Sequence, residues 1–168
     1  ARRCYHSRGR DIIYIENEKK LRTINTSKYD FLVQYIDKKS EYRVHILNNY
    51  TTIVNVKYSK EEEGEADEIV RNRNGGWIQI EYKGEFKERL IEIAKNCIKI
   101  LKYDFGAVDI ILGKDGHFYV LEINSAPRLE ERKLKIYADY FLYEESKLLK
   151  KKEPIISKEQ GEYAYYGK

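Results

Sequence analysis

Asp109, Glu122 and Asn124 are the residues whose types and spacing could do chemistry. They lie in Asp104 to Pro127, DFGAVDIILGKDGHFYVLEINSAP, where two apolar runs flank a polar break. The break contains Asp115-Gly116, a strong short-range signal for a tight β-hairpin. With those two as the turn residues, Lys114 faces His117, and the same register sets Asp109 directly across from Glu122. Side chains alternate along a strand, so Asn124 falls on the same face one step beyond. That face reads Ala107, Asp109, Ile111 and Gly113, then Phe118, Val120, Glu122 and Asn124. The other carries Val108, Ile110, Leu112, Tyr119, Leu121 and Ile123. Two acids facing each other in a half-buried sheet repel, and an unpaired buried charge is costly. Donors that are all oxygen suit a hard cation, and magnesium best among them. Taken singly, either acid could instead sit in a buried salt bridge; the three together point to a metal.

Further charged residues are placed by the elements around this hairpin. EYRVHIL, Glu41 to Leu47, and TTIVNVKY, Thr51 to Tyr58, read as a second pair of strands turning at Asn48-Asn49, since Asn tolerates positive φ. Glu41, Arg43 and His45 then share one face. A guanidinium in an apolar strand needs an anion: Glu41 is the structural candidate for Arg43 and a phosphate the functional one. Ser7-Arg8-Gly9-Arg10 could wrap phosphate through backbone N–H groups and guanidinium charge. Ile12 to Ile15 and Phe31 to Ile36 read as strands, and Asn17 to Tyr29 as a turn with a short polar segment. Trp77 to Tyr82 continues as a strand after a turn at Gly75-Gly76, with Trp77 in the core and Arg71 and Asn74 candidates to face a cleft. Glu85 to Lys102 is the clearest helix, with Phe86, Leu90, Ile93, Ala94, Cys97 and Leu101 recurring at three- and four-residue intervals. Leu129 to Leu149 is a second helical stretch with Leu134, Tyr137, Ala138, Phe141 and Leu142 on one side.

A chain of 168 residues is one ordinary domain or two small lobes. Its formal net charge of +4 suits an anionic ligand such as a nucleotide without demanding nucleic acid. Cys4 and Cys97 are far apart in sequence and read as free thiols, which points to a reducing, cytoplasmic setting. No apolar run is long enough to span a membrane and no signal peptide is visible.

The run VDIILGKDGHFYVLEIN resembles the metal-binding hairpin of the ATP-grasp ligases, with EYRVHIL and HSRGRD in the expected order. IRN…NGW and EYRV are similar to ATP-grasp proteins encoded in phage genomes. The resemblance covers roughly residues 1 to 140 and implies an α+β fold of two small α/β lobes with mainly antiparallel sheets and a nucleotide cleft between them. Residues 1–58 would form a lid-like lobe, 59–67 a charged loop, 68–149 the metal-hairpin lobe with its packing helices, and 150–168 a polar tail.

By the same resemblance Asp109, Glu122 and Asn124 would hold Mg2+ against the phosphates of ATP. Arg43 would reach the nucleotide phosphates or an acyl phosphate. Ser7, Arg8, Gly9 and Arg10 would cover the phosphates as a lid loop, and Arg2 or Arg3 would meet the α-phosphate. Gln34, Tyr35 and Ile36 would flank the base, Asp37 the ribose hydroxyls, and Lys57 is a further nucleotide contact. Ser125 and Arg128 would begin the acceptor loop, where Arg128 stands in place of the family's Gly. The implied activity is ATP- and magnesium-dependent carboxylate–amine ligation through an acyl phosphate, by a chain that could be a fragment or need a partner chain. The competing readings are a nucleotide-binding or structural protein without turnover and a basic nucleic-acid-binding module.

Overall fold

The computed structural model describes residues 1–4, 12–48, 50–59 and 67–152. By contacts the chain divides into Ala1–Pro127 and Arg128–Lys168. The first unit is built on one five-stranded antiparallel sheet in the order β3-β2-β1-β4-β5. Its strands are β1 (Lys38–Leu47), β2 (Thr51–Ser59), β3 (Trp77–Glu81), β4 (Phe105–Gly113) and β5 (Phe118–Asn124). The fold is α+β, as expected. β2 and β3, which precede and follow residues 60–66, are neighbours in this one sheet, and the division by contacts falls after Pro127. The reason is β1, which pairs with β2 on one side and β4 on the other.

Period-2 alternation decides what each face buries. Val44, Ile46, Val54, Val108 and Ile110 point to one side and meet Leu90, Ala94 and Ile98 of α2 (Lys87–Ile100). Leu90 and Ala94 are fully buried, and Ile98 takes the place expected for Leu101, which is half-exposed. Glu41, Arg43 and His45 share the other face, as the alternation requires.

The hairpin register holds where chemistry needs it and differs near the turn. Asp109 is the Cα partner of Glu122 and Ala107 of Asn124, as predicted. Closer to the turn Ile110 pairs with Val120, Ile111 with Tyr119 and Leu112 with Phe118. Gly113 N donates to His117 O at 2.9 Å and Gly116 N to Gly113 O at 3.0 Å, so the loop has Lys114, Asp115 and Gly116 at its tip instead of two residues. Gly116 supplies the positive φ, +83°, that closes such a loop. A bulge at Leu121 then restores the register, with Asp109 and Ile110 facing Glu122 and Val120. Phe118 consequently sits on the helix side, its ring 5.6 Å from that of Phe86, and not on the face of Asp109.

Two expected strands do not form. Residues 12–16 and 32–37 have no regular structure. Ala1 and Ile13 exchange two backbone hydrogen bonds of 2.7 and 3.1 Å, and Phe31 has a single bridge to Arg2. β-Rich composition makes a strand only where a neighbour takes up the backbone groups, and the sheet offers these segments none. Between them lie α1 (Glu18–Thr23), capped by Asn17 Oδ1 on Lys20 N at 3.0 Å, and a 3-10 turn at Thr26–Lys28, more order than the sequence suggested.

The second unit contains α3 (Glu131–Lys152). Tyr137 and Tyr140 are its buried aromatics, whereas Leu134, Phe141 and Leu142, which the sequence places on one side with Tyr137, are exposed. Apolar side chains occur all round this helix, so its period marks no single stripe. No helix among the described residues is long and apolar enough to cross a membrane. Cys4 and Cys97 are free thiols.

A Cβ at residue 116 would meet no atom within 4 Å, so only backbone strain opposes substitution there. Gly116→Ala should therefore destabilise by about 1–2 kcal/mol, and Gly116→Asn by less. Urea unfolding of the two variants beside wild type checks the ranking; equal midpoints for all three would contradict the assigned turn.

Candidate functional site

The sheet face turned away from α2 is the floor of a cleft of about 700 Å³. Glu41 and Arg43 of β1, Lys57 of β2, Asp109 and Ile111 of β4 and Glu122 of β5 contribute to it. Its remaining walls are irregular: Ala1 and Arg2, Ile12 to Ile15, Leu32 to Ile36 and Ile69 to Asn72. A rigid, charged floor thus meets mostly apolar walls that lack sheet structure.

Arg43 and Asp109 are Cα partners across β1 and β4. Arg43 Nε donates to Asp109 Oδ1 at 2.6 Å and Nη2 to Oδ2 at 2.5 Å, a two-pronged pair with 19% and 5% of the side chains exposed. Hydrogen bonding to Asp109 raises the guanidinium pKa above its usual value, more than burial lowers it. Arg43 therefore finds its anion across the sheet and not in Glu41, because strand pairing brings residue 109 nearer than a neighbour two positions along.

Glu41 is used elsewhere. Lys57 Nζ donates to Glu41 Oε1 and, at 2.6 Å, to the Arg71 carbonyl. Lys38 Nζ lies 3.6 Å from Glu41 Oε2 and donates to the Ile69 carbonyl at 3.0 Å. Burial pushes the Lys38 amine below the usual lysine range, and the charge of Glu41 offsets part of this. Arg71 reaches Glu68 at 2.6 Å and the Lys38 carbonyl at 3.3 Å, and its guanidinium lies 4.4 Å over the Trp77 ring. Trp77 is buried, as read from the sequence.

Asp109 and Glu122 stand opposite each other, and Asn124 Nδ2 donates to Glu122 Oε1 at 3.0 Å. The ion-pair alternative is therefore realised at Asp109, while Glu122 is joined to an amide. No group of three or more His, Cys, Asp or Glu side chains among the described residues could hold a metal ion. The trio has two carboxylates and an amide, all oxygen donors of the kind a hard cation takes. An ionised carboxylate offers about four lone-pair sites, so two bonds from Arg43 leave Asp109 acceptor capacity.

The other sequence-derived candidates fall into three groups. Gln34, Tyr35, Ile36 and Lys57 line the cleft; the Tyr35 ring packs tilted at 59° against that of Tyr14, centroids 4.6 Å apart, and burial raises its phenol pKa. Away from it, Arg3 is exposed and donates to the Lys28 carbonyl at 2.9 Å, so that of Arg2 and Arg3 it is Arg2 that lines the cleft. Asp37 pairs with Lys114 at 3.1 Å beside the hairpin tip, Ser125 is exposed after β5, and Arg128 opens the second unit. Ser7, Arg8, Gly9 and Arg10 lie outside the described residues. Arg71 lines the cleft; Asn74, exposed, does not. Lys38 belongs to the charged run Asp37 to Ser40, which carries no motif, and an irregularity between Lys38 and Ser40 turns it into the site.

A family model described as the RimK-like ATP-grasp domain matches residues 2–144. The chain belongs to the RimK-like ATP-grasp family. Among solved structures this ATP-grasp chain is similar to a D-alanine–D-alanine ligase from Bacillus anthracis, at 18% identity over 71% of this chain and 44% of that one, TM-score 0.49. It is also similar to the RiPP-associated ATP-grasp ligase of Chryseobacterium gregarium in complex with ADP and a leader and core peptide, at 22% identity over 71% and 35%, TM-score 0.42. For the macrocyclase MdnC of Microcystis aeruginosa, bound to its precursor peptide MdnA, the values are 21%, 56%, 27% and 0.36. The chain spans less than half the length of each of these proteins.

In this ATP-grasp domain the buried pair should behave as a unit. Arg43→Met strands a buried carboxylate and should cost about 3–5 kcal/mol, whereas adding Asp109→Leu should recover much of the loss. Urea unfolding of both singles and the double checks this; strictly additive losses would show that the two side chains are not coupled.

Proposed function

We propose that the cleft binds ATP with Mg2+ and that the chain is the nucleotide- and metal-holding part of a carboxylate–amine ligase. The observation that carries this reading is the convergence, on one sheet face, of the opposed acids Asp109 and Glu122 with the cations Arg43 and Lys57. Family membership supports the ATP-grasp chemistry in general; the carboxylate, the amine and the relation to phage-encoded members belong to the proposal. So does a cytoplasmic location, supported by two free thiols.

ATP would phosphorylate a carboxylate, releasing ADP, and an amine would then displace phosphate from the acyl phosphate to leave an amide. A magnesium ion held by Asp109, Glu122 and Asn124 would neutralise phosphate charge. Arg43, fixed by Asp109, presents a guanidinium that stays charged at any working pH. Lys57 adds a second cation from the neighbouring strand. Gln34, Tyr35 and Ile36 flank the base along the irregular wall, where backbone groups not used in a sheet are available to its polar edge. Tyr14 and Tyr35 narrow that wall. Catalysis of this kind rests on positioning and electrostatics, so no nucleophilic side chain is required.

Calorimetric titration of ATP, with and without Mg2+, into wild type and Glu122→Gln tests the reading. Wild type should bind in a magnesium-dependent way, and Glu122→Gln should lose about tenfold or more, at least the loss seen when a metal ligand's supporting partner is removed. Equal heats for the two proteins would remove the metal assignment. Magnesium-dependent binding with no ADP formed in the presence of any amine and carboxylate would instead favour a nucleotide-binding role without turnover.

A further inference from the structure

Glu41 is the acid on the cleft floor that neither Arg43 nor the proposed metal site accounts for. Its side chain is 5% exposed, and a carboxylate so buried needs compensation. It has more than enough: Lys57 donates to one oxygen, and the Lys38 amine lies 3.6 Å from the other. Lys57, on β2, carries a long side chain with many rotamers, and its ammonium could point along the cleft in several ways. Two contacts remove that freedom, one to Glu41 and one to the Arg71 carbonyl of the cleft wall. Two ammonium groups against one carboxylate also leave a positive excess at this end of the floor.

We propose that Glu41 is a positioning residue that holds the Lys57 ammonium where an anionic ligand of the cleft meets it. The inference rests on the nucleotide reading and adds to it the group that fixes one of its cations. The alternative, that Glu41 merely lowers the local positive charge, predicts an effect of opposite sign. Removing a negative charge beside two lysines strengthens anion binding if charge alone matters and weakens it if the ammonium loses its anchor.

The test is calorimetry with Mg·ATP, and with inorganic tripolyphosphate as a base-free probe, at a temperature well below each variant's melting point. Glu41→Gln should bind Mg·ATP about tenfold more weakly than wild type despite its extra positive charge. Lys57→Gln and the double variant Glu41→Gln/Lys57→Gln should match within about twofold, because a residue that acts through Lys57 has nothing left to position. Glu92→Gln, on the exposed face of α2, controls for a general charge effect and should bind like wild type. If Glu41→Gln does not fold, the double variant, which leaves no ammonium unpaired at position 57 and leaves Lys38 its bond to the Ile69 carbonyl, carries the comparison with Lys57→Gln. Unchanged or tighter binding by Glu41→Gln, or a double variant binding about threefold or more tighter than Lys57→Gln, overturns the positioning role alone. A wild type that takes neither probe sinks the nucleotide reading and this inference with it.

Discussion

A carboxylate buried in the middle of a sheet has to be answered by a cation, and the Arg43–Asp109 pair is the answer around which this domain is arranged. The two residues are delivered to each other by backbone register, so the contact exists as soon as β1 and β4 pair. β1 is the strand on which the charge pattern turns. Its Arg43 is neutralised from β4 and its Glu41 from β2, so alternate residues of one strand draw partners from opposite neighbours. Across the floor the charges consequently separate. Lysines and arginines predominate toward β2 and the 69–72 wall, and acids toward β4 and β5, where Glu122 is answered by an amide instead of a cation. A ligand that is itself a cation joined to a polyanion, as proposed, fits that polarity.

The pairing of Asp109 with Glu122 is legible in the sequence, although the turn behind it is one residue longer than the Asp-Gly signal implies. Asp115-Gly116 marked the bend correctly, but the loop has three residues at its tip and Leu121 adds one more to the returning strand. The two departures cancel at the carboxylates and leave Phe118 on the other face. Neither has a chemical signature: Leu121 is neither Gly nor Pro, and a bulge costs its strand only one ladder position. The helix-facing stripe of α2 was legible for the opposite reason, since it repeats over several turns and an error at one position, Leu101 for Ile98, leaves the rest intact.

What the sequence hid is what depends on a partner. Ile12 to Ile15 and Phe31 to Ile36 have strand-like composition, yet no sheet edge takes them up, and Ile12 to Ile15 and Leu32 to Ile36 line the cleft as irregular chain. Glu41 and Arg43 are close in sequence and opposite in charge, and still each bonds elsewhere, because contacts across a sheet are shorter than contacts along a strand. Lys38 sits in a charged run without a motif, and one irregularity in β1 turns it to the cleft side.

Stability does not by itself call for these charges. A buried ion pair recovers its desolvation cost only with near-ideal geometry, and apolar side chains of similar volume often serve a fold as well. The other face of the same strands shows this, where Val44, Ile46, Val108 and Ile110 close against α2 with no polar atom among their side chains. One sheet therefore carries two different solutions to burial. The apolar face fixes the positions of the strands, and the strands fix the charged face to within the tolerance of a backbone ladder. Most of the charged groups of the cleft are thereby held on paired strands, where a site is placed more precisely than on loops, while most of its apolar contacts come from irregular segments.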